Sequence, residues 1–321
     1  EGANSLKAVG GRAHLLWEPT SKFDVGLLII REDNEPADSS LTNPDRGEFI
    51  RYTDRPDLFQ SDMTSYNLTA NWDMDFATLT SSSNYSKIDG KFIVDLAGTF
   101  GGGIPFALDA VGHDENFVQE VRLASADGGN WDWIVGGFYF NKRRDIDYDY
   151  RSSQEFLDSR GLTGLPDEYY YRFKGYFDAI ESAAFGELTY HFSDKLWATG
   201  GLRYTETSVQ SHTLAGGYNS NYLVAALFGF TNTALTLTPV AAADGLKVEA
   251  DNLSYKASLS YKPMDNLTTY ASIATGFRSP VANARAGLAS GVDPNDIIIP
   301  NGADSDTLVS YEVGAKGAFF D

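Results

Sequence analysis

Tyrosines crowd two neighbouring stretches of the chain, first at Tyr148 and Tyr150 and then over residues 169–177. Aromatic rings stack on sugars and on aromatic chelators, so these side chains could form a platform for a small ligand. They could equally form the aromatic belt that marks a membrane–water interface. The sequence leaves both interpretations open, and the candidate ligand contacts are Tyr148, Tyr150 and Tyr170.

Charged residues recur at the polar positions of segments in which apolar and polar residues alternate. Arg203 and Arg278 are the two candidates for contact with a ligand, because they occupy the polar face of their strands. Glu120, Arg122 and Glu187 occupy equivalent positions. Charges on the enclosed side of a sheet also pair with one another, which is the alternative role for all of these residues.

The sequence contains no complete motif for a metal site or for a catalytic nucleophile. Asp145, Asp147 and Asp149 share one face of a strand and could offer carboxylates to calcium, but the glycine and closing glutamate of a calcium loop are missing. The chain has no Cys and only 4 His, which excludes disulfides and cysteine-based metal centres. No Ser lies on a nucleophile elbow. We therefore predict no enzyme activity and no cofactor.

The elements that carry these residues are strands. Over residues 253–261, Leu253, Tyr255, Ala257 and Leu259 alternate with serines and a lysine, so the segment has one apolar and one polar face. The pattern resumes after the turn at residues 263–266. In this hairpin and the preceding one, we expect one face to meet lipid and the other to meet the lumen of a barrel. The lipid-facing set is Leu253, Tyr255, Ala257, Leu259, Ala198, Leu202, Ile273 and Phe277, and the lumen-facing set is Ser258, Arg203, Tyr270 and Arg278.

The same unit repeats along the chain and gives eleven strands. Turns of about three to five residues join them at one end, and connections of roughly 25 to 40 residues join them at the other, an asymmetry typical of outer-membrane barrels. The predicted long connections are residues 34–62, 89–115, 145–178, 210–249 and 279–306, and they hold most of the net charge of −19. This negative charge excludes a nucleic-acid partner.

Five segments resemble the barrel of TonB-dependent outer-membrane receptors. They are ENFVQEVRLAS at 115–125, WDWIVGGFYF at 131–140, the hairpin at 183–206, LTTYASIATGFRSP at 267–280 and LVSYEVGAKG at 308–317. The resemblance implies an all-β fold, an antiparallel transmembrane β-barrel of 22 strands with short periplasmic turns and long extracellular loops. Twenty-two strands of this average length need roughly 640 residues. We therefore expect residues 1–321 to be a partial barrel domain, without the plug domain and the C-terminal part of the barrel.

The function that this resemblance implies is import of a scarce ligand, such as a ferric siderophore or another metal chelate, through the outer membrane of a Gram-negative bacterium. The implied partners are outer-membrane lipid and lipopolysaccharide, the small-molecule ligand, and a TonB-type energy-coupling complex that acts through the plug. Two alternatives share the strand pattern and stay open. One is a passive porin or channel, and the other is a structural or adhesive surface barrel.

Overall fold

The computed structural model describes residues 5–39, 41–43, 46–51, 53, 55–96, 106–126, 128–159, 169–216, 247–282 and 302–318. Nearly all of them are strand. The strands are β1 (Leu6–Thr20), β2 (Phe23–Pro36), β3 (Leu58–Asp73), β4 (Ala77–Asp95), β5 (Phe106–Ser125), β6 (Trp131–Ser152), β7 (Tyr169–Ser193), β8 (Leu196–Gly216), β9 (Lys247–Met264), β10 (Leu267–Arg278), β11 (Val281–Ala282), β12 (Gly302–Ala303) and β13 (Asp306–Gly317). A short helix, α1 (Gln154–Ser159), follows β6. Within these ranges no helix combines the length and the apolar character needed to cross a bilayer.

Eleven strands form one antiparallel sheet in which β1 to β10 each pair with the next strand of the sequence and β13 pairs with β10. The order is β1 to β10 followed by β13, and the remaining two strands, β11 and β12, pair only with each other. Tight turns join β1 to β2, β3 to β4, β5 to β6, β7 to β8 and β9 to β10. The predicted eleven-stranded up-and-down arrangement is confirmed, and its hairpins set the register of the whole wall.

The predicted extent of the long connections is wrong. β4 continues to Asp95 and β5 begins at Phe106, while β6 continues to Ser152 and β7 begins at Tyr169. Much of the charge assigned to loops therefore lies on strands that extend past the bilayer. Cross-strand ion pairs, such as Lys174 with Asp147 at 2.8 Å, stabilise these extensions, which the sequence had been read to contain within the long connections.

The two faces of the sheet differ as predicted. Cross-strand pairing places all eight expected lipid-facing residues on one face and Ser258, Arg203, Tyr270 and Arg278 on the other. Over residues 253–261 of β9 the apolar residues are exposed and the serines are half-buried. Leu253 keeps 63% of its surface exposed. Burial is thus inverted relative to a soluble sheet, so the outer face is apolar and the inner face is polar.

Two sets of aromatic side chains bound the apolar outer face. Near the tight turns lie Trp72, Trp131, Tyr190 and Phe192, and Trp131 packs on Tyr190 at a centroid distance of 4.4 Å. Farther along the strands lie Tyr66, Tyr85, Phe117, Tyr139 and Tyr204. Trp131 and Tyr139 are eight residues apart on β6, which is about 27 Å along the strand and about 20 Å along the membrane normal at the usual strand tilt. That spacing is close to the apolar height of an outer-membrane barrel.

Candidate functional site

The inner face carries a network of ion pairs across β5 to β9. Arg203 binds Glu181 at 2.9 Å, Lys256 binds Glu187, and Arg122 lies 3.3 Å from Glu120. All of these side chains except Glu181 line a concavity of about 440 Å³ on the inner wall. Pairing with one another is the second of the two roles that the sequence allowed for these charges.

Arg203 has the most elaborate environment in this network. Its guanidinium group lies 4.8 Å from the centroid of the Phe138 ring and 5.9 Å from that of Phe185, and its Nε donates to Thr205 Oγ1 at 3.2 Å. A cation held over two rings and paired with a carboxylate has a fixed orientation. The sequence predicted the position of Arg203, but its partner Glu181 was missed because 22 residues separate the two.

Tyr148 belongs to an aromatic cluster at the extracellular end of the inner face. Its ring meets Phe92 edge-on at a centroid distance of 6.0 Å, and Phe92 stacks on Phe59 at 6.1 Å. Tyr150 projects from the same face two residues farther along β6. We call Phe59, Phe92 and Tyr148 the inner aromatic cluster. The sequence analysis did not single out Phe59 or Phe92 as site residues. Each lies an even number of residues from inward-facing polar residues of its own strand, β3 or β4, which is the pattern that could have indicated the inner face.

Tyr176 and Tyr170 do not belong to the inner aromatic cluster. Tyr176 lies on the outer face, 38% exposed, with its ring 6.1 Å from that of His212. It faces outward beyond the belt, because it pairs with Asp145, six residues past Tyr139 on β6, whereas Tyr148 and Tyr150 face inward. Tyr170 falls where the pairing of β6 and β7 shifts register, and its side chain lies outside the described residues.

Arg278 ends β10 on the inner face and is exposed. Its guanidinium group binds the carboxylate of Asp306 through both oxygens, with Nε 2.9 Å from Oδ1. This hydrogen-bonded pair lies beyond the membrane-spanning part of the strand and lowers the pKa of Asp306 below its ordinary value. Arg278 and Arg203 therefore occupy the same face of the sheet but separate sites.

A buried polar cluster, which we call the loop clamp, closes the extracellular ends of β3 and β4. Asp57 is 5% exposed and accepts hydrogen bonds from the Arg51 guanidinium at 3.2 Å, from the Asp95 backbone N–H at 2.8 Å and from the Ser39 hydroxyl. Asp95 in turn accepts from the Arg55 backbone N–H at 2.8 Å. The clamp ties the connection between β2 and β3 to the strand ends that hold Phe59 and Phe92. The distribution of charged residues along the sequence did not predict the loop clamp.

The described side chains do not assemble a metal centre from three or more His, Asp or Glu residues. Asp147 instead binds Lys174, and His191 lies 2.6 Å from Asp132 near the tight turns. The Asp147–Lys174 pair lies on the outer face. The inner face carries ion pairs, hydroxyls and aromatic rings, which suit contact with a small polar ligand or with another protein segment.

A polar inner wall, an apolar outer face and aromatic belts at both edges define the wall of a transmembrane β-barrel. The family model described as TonB dependent receptor-like, beta-barrel matches residues 16–321, and the chain belongs to this family. Its members are outer-membrane transporters of Gram-negative bacteria, not enzymes, and they bind small ligands such as siderophores and interact with TonB.

Solved structures share the fold at low sequence identity. The ferric yersiniabactin uptake receptor FyuA from Yersinia pestis matches with a TM-score of 0.74 and 18% identity over 98% of this chain and 43% of its own. The siderophore receptor PiuA from Acinetobacter baumannii matches at 0.67 and 16%, over 98% and 48%. The ferric-catecholate import receptor Fiu from Escherichia coli K12, in its closed form, matches at 0.62 and 12%, over 98% and 50%. The chain thus spans half or less of the length of these structures.

Proposed function

We propose that this chain forms part of the barrel of a receptor that imports a small metal chelate, such as a ferric siderophore, across the outer membrane of a Gram-negative bacterium. The inner aromatic cluster carries the proposal, because it places Phe59, Phe92 and Tyr148 at the extracellular entrance of a polar lumen. Membership of the family favours this energised receptor over the passive channel and the adhesive barrel. The ligands named for FyuA, PiuA and Fiu indicate the chemical class.

The proposal also states which part of the receptor this chain supplies. Residues 1–321 supply about half of the barrel wall, since they match about half of the length of FyuA, PiuA and Fiu. A plug domain would then contact the inner ion pairs and connect the barrel to a TonB-type energy-coupling complex. Lipid and lipopolysaccharide of the outer membrane would contact the apolar face.

The first test compares two tyrosines on opposite faces. In the full-length protein, Tyr148→Ala removes an inner ring that packs on Phe92, and we expect ligand binding to weaken by roughly 3- to 10-fold, the value of one aromatic contact. Tyr176→Ala removes an outer ring and is expected to leave binding unchanged. Binding of a panel of ferric chelates to both variants, measured by fluorescence quenching or calorimetry, checks the prediction. Equal loss in the two variants would contradict a ligand site at the inner cluster.

The second test concerns the charge of the ligand. The net charge of −19 creates a field that repels polyanions at long range, although salt screens it beyond about 8 Å at physiological ionic strength. We expect the full-length protein to bind a neutral or weakly charged chelate, or one whose capture needs a bridging divalent cation. Affinity measured from low to physiological salt should then stay constant or rise. Tight binding of a polyanion that weakens with added salt would show that attraction dominates.

A further inference from the structure

Hydroxyl side chains on the extracellular half of β8 are buried although they belong to the inner face. Thr205 and Ser211 are fully buried, and Thr207 is 5% exposed. All of them lie an even number of residues from Arg203 on the same strand, which places them on the inner face. Thr199, on the same face but nearer the tight turn, is only half-buried. Another element therefore covers this end of β8.

The chain that follows β10 supplies the cover. β11 begins at Val281, just after β10 ends at Arg278, and it contacts both β9 and β8. The chain thus turns across the face of the sheet instead of extending β10. The crossing is on the inner side, because the outward-facing neighbours Tyr204 and Leu253 stay 44% and 63% exposed. We call β11, β12 and Ser305 the inner strap.

One serine anchors the inner strap to the wall. The Ser305 hydroxyl donates to the backbone oxygen of Arg278 at 2.8 Å and lies 3.0 Å from the side-chain amide of Asn252. Asn252 is the direct cross-strand neighbour of Thr205. Ala282 of the strap is itself buried, at 8% exposed. The strap therefore packs on the wall beside the buried hydroxyls of β8.

Two of these hydroxyls have nothing to bind beneath the strap. Within the described part of the chain, Oγ1 of Thr207 and Oγ of Ser211 are buried without a hydrogen-bond partner. Val281 and Ala282 of the strap carry no polar side-chain atom. Buried hydroxyls are usually paired, because a hydroxyl that has lost its water and gained no partner costs free energy. The covered arrangement consequently leaves hydrogen-bonding capacity unused.

We propose that Thr207 and Ser211 are a ligand subsite that the inner strap covers until an uncharged hydroxyl- or amide-bearing part of the chelate displaces the strap and binds them. The inference rests on the proposed function and names a contact within that site. A hydroxyl group both donates and accepts, so it pairs with either kind of group. Thr207 faces Glu181 across β7 and β8, and the pair of Glu181 with Arg203 is balanced in charge. The subsite therefore does not favour a charged group.

The subsite is tested by removing one hydroxyl. In the full-length protein, Thr207→Val replaces the hydroxyl with a methyl group of similar size. We expect binding of a neutral ferric trihydroxamate, measured by calorimetry, to weaken by about 3- to 10-fold, the value of one hydrogen bond. The urea midpoint for unfolding in lipid vesicles should stay equal or rise, because the hydroxyl has no partner to lose.

Thr199→Val is the matched control for this substitution. Thr199 lies on the same face of the same strand, but its Oγ1 is 2.8 Å from Oγ1 of Thr189. We expect this variant to unfold at a lower urea concentration, because a hydrogen bond is lost, and to bind the trihydroxamate as the parent does. Ferric citrate serves as the anionic probe, and its affinity should be the same in Thr207→Val and in the parent.

The cover is tested by loosening the strap. Ser305→Ala removes both contacts of the anchoring hydroxyl, so we expect affinity for the trihydroxamate to rise by about 3-fold or more. A thiol introduced by Thr207→Cys should react with a maleimide at least about 5-fold faster when Ser305→Ala is also present, since local opening sets the rate. Ser258→Ala, the same substitution on the inner face of β9, should change neither result.

The outcomes separate the subsite from the proposed function. The proposal is overturned by unchanged trihydroxamate binding in Thr207→Val, by lower affinity in Ser305→Ala, or by labelling of Thr207→Cys that Ser305→Ala does not accelerate. If a chelate binds and Thr207→Val leaves its affinity unchanged, the receptor function stands and the subsite is wrong. If no ferric chelate binds while Ser305→Ala accelerates labelling, the strap stands and the receptor function is wrong.

Discussion

Gly136→Val is expected to destabilise the folded barrel strongly, whereas Gly137→Val is not. A Cβ built on Gly136 lies 2.5 Å from Cζ of Phe185 and 2.7 Å from the backbone oxygen of Val121. Neither neighbour can withdraw easily, because Val121 lies in a strand paired on both sides and Phe185 supports Arg203. The cost is about 3 kcal/mol or more, at or above the upper end of ordinary overpacking.

The measurement is urea unfolding of the full-length protein in lipid vesicles, followed by the heat-modifiable mobility of folded barrels. Gly137 provides a control next to Gly136 on the same strand, with the same substitution and the same change in strand propensity, but with an open outer face. Gly136→Ala combined with Phe185→Leu should recover part of the loss, because the shorter side chain vacates the ring position. Equal stability of the two valine variants would mean that Phe185 does not pack over Gly136.

The second large effect is expected at the loop clamp. Asp57→Asn removes the charge that pairs with Arg51, and both side chains are nearly inaccessible, at 0% and 10% exposed. Breaking a buried ion pair by removing one partner costs about 3 to 5 kcal/mol, because the other charge stays buried and uncompensated. The connection between β2 and β3 should therefore detach from the ends of β3 and β4.

Limited trypsin digestion of the full-length protein measures this detachment through cleavage after Arg46 and Arg51. We expect cleavage at least about 10-fold faster in Asp57→Asn than in the parent, since local opening sets the rate. Glu35→Gln is the control, because it removes an exposed pair with Lys7 that is worth about 0 to 1 kcal/mol. A digestion rate that matches this control would show that the clamp does not hold the connection.

The loop clamp also connects stability to the proposed ligand site. It ends on the strands that carry Phe59 and Phe92. Asp57→Asn is consequently expected to weaken chelate binding along with the loop, while Tyr148→Ala should weaken binding without accelerating digestion. The two variants thus distinguish a side chain that contacts the ligand from one that positions the entrance.

Much of the fold follows from the sequence because a strand has a period of two. The alternation at residues 253–261 fixed which side chains share a face, and the tight turns fixed the order of the hairpins. The same parity placed Arg203 and Arg278 on the inner face. The opposite faces of Tyr148 and Tyr176 emerged only from the pairing between strands.

Tertiary structure decided what depends on the neighbouring strand. The pairing of Arg203 with Glu181 and of Lys256 with Glu187 requires cross-strand register, which no single segment contains. The lengths of β4 to β7 were underestimated because cross-strand ion pairs stabilise charged strands that local propensity disfavours. The inner strap likewise meets Asn252 only in the folded sheet, because 53 residues separate Ser305 from Asn252. Local pattern determines the faces of a sheet, and register between strands determines the sites on them.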